Sequence, residues 1–358
     1  MEVIGIVCEY NPFHNGHIYQ IKKIKEMFKE SIIIVILSGL FTQRGEISTL
    51  SKKEKTELSL NHGVDLVVEL PTIYASQSAD IFAYQAIKIL NKLKITKLVF
   101  GSESNDIEKL KQIALMQEDK LFDEKVSKEM NKGISFPNAL KNVLNLDFEY
   151  LPNDLLGISY IKAINSINKK IEPISILRTN NYHDLSSNNK IISAENIRNK
   201  YLKKMDISKY CPIKKINTID YELYFNIIKI KILTDSHLNE YVDVDEGIEN
   251  RLIKFIKESN TLIDFIEHIK TKRYSYNKIS RMLLHILLGF KKENNKEYNH
   301  IKILGFNNTG QEYLNKLKLK DKEDKFIKNF ELNACLIYDL LANTNTYQFE
   351  LKNIPIQK

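Results

Sequence analysis

Two histidines three residues apart, His14 and His17, flank Asn15-Gly16 where one kind of apolar pattern gives way to another. Val3-Ile4-Gly5-Ile6-Val7-Cys8 precedes them as a short apolar run of the kind a buried strand makes. Ile18, Ile21, Ile24 and Phe28 follow at helical spacing, with lysines between them. The tetrad therefore stands where a first strand feeds a first helix. Free backbone N–H groups and the positive end of the helix dipole favour an anion there. Two imidazoles one turn apart add hydrogen-bond donors on one face, and Gly16 is expected to leave room for a ligand against the helix start. That chemistry suits the phosphates of a nucleotide. A zinc reading of the pair fails for want of a fourth ligand, since Cys8 lies on the strand, so no protein-bound structural metal is expected.

The elements that must position this corner alternate. Ile32 to Leu37 is an unbroken apolar run, as in a parallel strand covered on both faces. Ser51-Lys52-Lys53-Glu54 fits a capping box and starts a helix. Asp65 to Leu70 reads as a third strand, Ile81 to Leu93 as a helix and Lys97 to Phe100 as a fourth strand running into Gly101. Asn153-Asp154 is placed to cap a helix reaching Ile171, and Ile174 to Leu177 forms another strand before Arg178. Such repeats predict an α/β fold with a doubly wound parallel sheet. Ligands gather at the carboxyl ends of its strands, where His14, Ser38, Gly101 and Arg178 all fall.

The pattern changes near Asp206 to Pro212. Residues 1–205 form the expected nucleotide-binding part, and residues 206–358 a mainly helical, basic one. Glu222 to Leu233 and Glu246 to Ile269 are helical, and Ile279, Met282, Leu283, Ile286, Leu287 and Phe290 make an amphipathic stripe. Lys270, Lys272, Arg273, Lys278 and Arg281 gather around its start with Tyr274 and Tyr276 among them. Cations beside stackable rings suit an RNA backbone and splayed bases, which nominates Lys272, Arg273, Tyr274 and Arg281. His300 to Leu304 opens a small strand-helix element. The 358 residues carry a net charge of +8, which permits a polyanionic partner. No apolar stretch approaches the roughly 20 residues of a membrane span. The first residues lack the basic lead of an export signal, and three scattered cysteines make no disulfide framework. A cytoplasmic protein is expected.

The segment Gly5-Ile6-Val7-Cys8-Glu9-Tyr10-Asn11-Pro12-Phe13-His14-Asn15-Gly16-His17 closely resembles the opening of the bacterial tRNA(Met) cytidine acetate ligases, within the nucleotidyltransferases that share an HxGH signature. Ser38-Gly39 with Gln43-Arg44-Gly45, Phe100 to Glu103, Pro152-Asn153-Asp154, Leu177-Arg178, and Thr271 to Tyr274 leading into Ile279 to Gly289 agree with it. The resemblance spans most of the chain. It implies a Rossmann-like catalytic domain that adenylates acetate with ATP and passes the acetyl group to the exocyclic amine of the wobble cytidine of elongator tRNA(Met). The family's ATP site maps onto Val7, Cys8, Glu9, Tyr10, Asn11, Pro12, Phe13, His14, Asn15, Gly16, His17, Ile18, Tyr19 and Gln20, with Gly101, Asn153 and Arg178. His14 and His17 would bond the phosphates, and Arg178 or Arg198 would neutralise charge alongside Mg2+.

One departure stands out. Similar proteins carry Ser-Ala-Thr-x-Ile-Arg late in the first domain, whereas this chain has Ser193-Ala194-Glu195-Asn196-Ile197-Arg198. Two other functions compete with the ligase: an adenylyltransferase acting on a small nucleotide or phosphopantetheine-like acceptor, and a non-catalytic RNA-binding protein on a nucleotide fold.

Overall fold

The computed structural model describes residues 1–119, 121–134, 136–144, 151–178, 190–271, 273–319 and 323–358. Lys272 lies outside them. In chain order the elements are β1 (Val3–Cys8), α1 (Asn15–Met27), β2 (Ile32–Ser38), α2 (Lys52–Asn61), β3 (Leu66–Leu70), α3 (Thr72–Ala75), α4 (Ala79–Lys92) and β4 (Lys97–Ser102). Then follow α5 (Ile107–Gln117), α6 (Phe122–Asn131), α7 (Phe136–Leu144), α8 (Pro152–Ile167), β5 (Glu172–Leu177) and α9 (Ala194–Leu202). The remainder is α10 (Tyr221–Thr234), α11 (Ile248–Ile256), α12 (Leu262–Ile269), α13 (Tyr276–Leu288), β6 (Ile303–Phe306), α14 (Asn308–Leu317), α15 (Lys325–Ala342), α16 (Tyr347–Lys352) and β7 (Ile356–Gln357).

The apolar runs dictate the sheet. Every residue of β2 is buried, and alternate side chains enter opposite cores. Ile32, Ile34 and Ile36 join one with α4 and α8, while Ile33, Val35 and Leu37 join another with α1. The strand order is β5-β4-β1-β2-β3-β6-β7. The first five strands pair in parallel, so β1, between β4 and β2, marks the topological switch point.

The sheet does not stop at residue 205. β6 adds to β3 in antiparallel sense and β7 then pairs in parallel with β6. The strand-helix element expected at His300 is thus an extension of the parallel sheet. In the helical part, the stretch expected as one helix from 246 to 269 is two, α11 and α12, parted around Ser259 and Thr261, the latter capping α12. The α13 stripe packs into a third core with Leu40, Phe41 and Ile47 from the loop after β2. Gly45 fixes that contact: its φ is +78°, and a Cβ there would lie 2.6 Å from the backbone of Ser280 and Arg281. Among the described residues, no helix is long and apolar enough to cross a membrane.

A buried charge cluster fastens the far end of the sheet. Lys52, on α2, pairs with Glu69 of β3, with Glu331 of α15 at 2.6 Å and with Glu350 of α16 at 3.2 Å. Lys302 reaches Glu350 and, at 3.6 Å, Glu69. Glu331 also accepts from the Thr72 amide and hydroxyl. Removing one partner from such a cluster strands the others in a dry site. Lys52→Ala is therefore expected to lower the unfolding free energy by about 3–5 kcal/mol. The urea midpoint checks this, with Lys23→Ala in the exposed Lys23–Glu26 pair leaving the midpoint in place.

Candidate nucleotide-phosphate site

His14 is the N-cap of α1, and its imidazole Nδ1 accepts from the Gly16 amide at 3.0 Å. His17 Nδ1 in turn accepts from the His14 amide at 3.1 Å. The two histidines thus satisfy backbone donors reciprocally, as Ser and Glu do in an ordinary capping box. Their rings stack with centroids 3.8 Å apart. With both Nδ1 atoms accepting, the proton of each neutral ring sits on Nε2. Burial pushes the His14 imidazole down to about 3. His17 is also held well below the usual range, first by burial and then by the charges of His14 and Arg178. The pair is therefore two neutral N–H donors.

Arg178 follows the carboxyl end of β5, and its charge acts on both imidazoles. Its stem lies over Gly101, where a Cβ would stand 3.3 Å from Cγ. Asn153 Oδ1 accepts from Arg178 Nη1 at 3.3 Å, and Glu103 lies 3.9 Å from Nε. Asn153 is not a helix cap. Leu151 is the N-cap of α8 and makes no side-chain cap bond, because Glu103 reaches across to accept from the Asn153 and Asp154 amides at 3.1 and 3.0 Å. Asp154, fully buried, returns the favour by accepting from Ser102 Oγ and from the Glu103 and Ser104 amides. This interlock sets the β4 loop; Ser102, Glu103 and Asp154 stood in segments noted in the sequence, but their mutual bonding was not expected. Acid–amide complementarity between Gly101-Ser102-Glu103 and Pro152-Asn153-Asp154 was the signal available.

His14, Gly101 and Arg178 stand at the carboxyl ends of β1, β4 and β5, the crevice side of the sheet, and Arg178 links them: its stem lies over Gly101, it donates to Asn153, and its charge bears on His14 and His17. The rest of the Val7–Gln20 run divides. Cys8, Tyr10 and Phe13 are core side chains, and Pro12 is buried. Asn11 turns away to accept from the Thr49 amide at 2.8 Å, and Asn15 binds the Lys190 and Lys209 carbonyls. Glu9 accepts from the Gln43 amide. Val7, Ile18, Tyr19 and Gln20 are partly buried. Gly16 serves a different purpose from the one expected: a Cβ would fall 2.7 Å from His14 Cε1, so the space belongs to the folded-back imidazole. Arg198 donates to the Asn11 carbonyl at 2.6 Å and pairs with Glu46 at 3.0 Å. Lys55, unnoticed in the sequence, donates to the Ser38 and Gly39 carbonyls and is pushed down to about 7 by burial.

Among the described residues, the acids nearest Arg178 and Asn153 offer no ready ligand set for a divalent ion. Glu103 and Asp154 are engaged by backbone amides. The one group of three acids close enough to hold an ion among the described residues is Glu69, Glu331 and Glu350, which pairs with Lys52.

The proposed RNA residues do not form one exposed patch. Tyr274 is buried in the helical core and its hydroxyl donates to the Asp245 carbonyl at 2.6 Å, so its ring is no stacking platform. Arg281 is mostly buried, 3.7 Å from Asp243. Arg273 stays exposed and pairs with Glu246 at 3.0 Å.

The neutral state of His14 has a thermodynamic consequence. Its folded value lies below the unfolded one of about 6.5, so its stabilising contribution is complete above that pH and is lost as acid approaches 3. Between pH 7 and 5 the unmodified chain is expected to lose about 2 kcal/mol more than His14→Gln, measured by urea unfolding at both values.

The family model described as HIGH Nucleotidyl Transferase matches residues 1–357. A tRNA(Met) cytidine acetate ligase of Caldicellulosiruptor saccharolyticus is 39% identical over 374 residues, covering 96% of this chain and 93% of that one. One from Fusobacterium nucleatum is 38% identical over 339 residues, covering 88% and 85%. The crystal structure of Thermotoga maritima TmcAL bound with alpha-thio ATP superposes with a TM-score of 0.84 at 27% identity, covering 100% of this chain and 99% of that one. Taken with the HxGH corner at the switch point, these likenesses establish that the chain belongs to the HIGH nucleotidyl transferases and, among them, to the tRNA(Met) cytidine acetate ligase family.

Proposed function

We propose that this chain uses ATP and acetate to acetylate N4 of the wobble cytidine of elongator tRNA(Met), acting in the cytoplasm. The observation that carries the reading is the pair of neutral imidazoles, locked by their own backbone, with the Arg178 charge bearing on both. Neutral N–H donors and one fixed guanidinium suit a triphosphate, because they stabilise charge on the phosphoryl oxygens without a proton to lose. In the first step the acetate oxygen bonds to the α-phosphorus, and the bond to the β-phosphate oxygen breaks. Acetyl-adenylate forms and pyrophosphate leaves. In the second, the cytidine N4 bonds to the acetyl carbon, the carbon–oxygen bond to AMP breaks with its electron pair, and the nitrogen gives up a proton. Positioning, rather than a covalent nucleophile, supplies the rate.

The catalytic division that follows is a nucleotide-binding part, residues 1–205 completed by the later strands, and a basic helical part that approaches RNA. Arg273, exposed on that part, is the proposed phosphate contact that the structure describes.

Mass spectrometry of nucleosides from elongator tRNA(Met) incubated with the chain, ATP and labelled acetate tests the reading; labelled N4-acetylcytidine is expected. Pyrophosphate exchange that responds to a phosphorylated acceptor but not to acetate would overturn it. His17→Ala is expected to reduce acetate-dependent exchange about 100-fold or more while tRNA affinity in a filter-binding assay holds. Arg273→Ala is expected to weaken tRNA binding and lower the slope of log K against log salt by about one.

A further inference from the structure

A second concavity lies beside the phosphate crevice, and nothing above uses it. It has a volume of about 790 Å³, within the range of small-ligand sites. Its walls come from both parts of the chain: the loop carrying Glu46, helix α9 with Arg198, and α10, α12 and α13, which contribute Tyr221, Ile263 and Tyr276. Tyr221 and Tyr276 are 48% and 42% exposed, and Ile263 is 68% exposed, so rings and apolar surface line an open space.

The polar end of the cleft is organised. Glu46 Oε2 pairs with Arg198 Nη2 at 3.0 Å. Arg198 Nη1 donates to the Asn11 carbonyl, and Asn11 Nδ2 approaches Glu46 Oε2 at 3.4 Å. Asn11 belongs to the same lead that carries His14 three residues later. Hydrogen bonds from Arg198 and to Glu46 thus tie the polar end of the cleft to the segment that carries the imidazoles. Tyr221 and Tyr276 line the same cavity as Glu46 and Arg198.

From this juxtaposition we infer that the cleft is the acceptor subsite, holding an unstacked cytosine between Tyr221 and Tyr276 with its amino edge on the Glu46–Arg198 pair. The inference rests on the acetylation reading above. A carboxylate beside a guanidinium presents an acceptor next to a donor. The cytosine edge presents N4–H next to N3, donor beside acceptor, and matches. In the same register uracil presents O4 beside N3–H and meets like with like. A carboxylate accepting from cytosine N4 is a known readout, and flipped bases are held by edge bonds and aromatic stacking. Arg198 has five N–H groups, so its bonds to Asn11 and Glu46 leave donors for a base. Glu195 lines the same cleft, which gives the residue standing where similar proteins carry Thr a place near the RNA side rather than beside the imidazoles.

The chain contains no tryptophan, so Tyr221→Trp installs a single reporter that keeps a stacking face. RNA stem-loops bearing cytidine or uridine at the acceptor position are titrated against the full chain. The expected result is quenching by the cytidine loop, with affinity at least fivefold above the uridine loop, and collapse of that ratio toward one when Glu46→Ala is added. Should Tyr221→Trp not fold, Tyr276→Trp reports on the opposite wall. Equal affinity for both loops, or binding without quenching from either wall, overturns the subsite. Lack of acetate-dependent exchange in the unmodified chain overturns the activity instead, and the cytidine-to-uridine ratio still decides the cleft.

Discussion

Two hydrogen bonds between backbone amides and imidazole Nδ1 atoms set the geometry on which the proposed nucleotide site depends. The first turn of any helix leaves amides in need of acceptors. Here that need is met by histidines rather than by Ser and Glu. The exchange fixes three things together: ring orientation, the Nε2–H tautomer and, through burial, the neutral charge state. The close stacking of the rings leaves no space at Gly16 for a larger residue. A structural obligation of the helix and the proposed role in phosphate binding fall to the same two side chains, Nδ1 serving the one and Nε2–H the other.

The surrounding fold repeats this economy. Glu103 caps α8 while holding Asn153 toward Arg178, and Asp154 braces the loop from which Glu103 comes. Both carboxylates are thus committed to backbone amides. The loop after β2 then carries the arrangement into the helical part: Leu40, Phe41 and Ile47 enter that part's core, and Gly45 seats against α13. Movement of the helices relative to the crevice has to pass through this loop.

Much of this was legible in the sequence where one local rule acts alone. The Ile32–Leu37 run, the Ser51–Glu54 capping box and the α13 stripe all form as their spacing predicts. The HxGH lead pointed to its corner, but not to the reciprocal capping that orients it. Misreadings came where two environments share one composition. Tyr274 sits among cations in the chain, yet it packs inward, because the turn before α13 directs it to the core. Gly16 looked like space for a ligand and is space for a neighbouring ring. Asn153 looked like a cap because caps are the commonest use of Asn before a helix, whereas the acceptor came from fifty residues upstream. The return of β6 and β7 to the sheet had no local signature: strands of four and two residues are too short to declare their partners.

That return gives the molecule a particular order of assembly. During synthesis, β3 emerges long before β6, and Lys52 emerges long before Glu331 and Glu350. Until they arrive, the half-made sheet has a bare rim, the kind of template that recruits stray chains, together with an ammonium short of counter-charge. The later segments seal that rim, so the nucleotide half matures only as the helical half does. Neither half is a spare part that evolution could exchange without rebuilding the other's border.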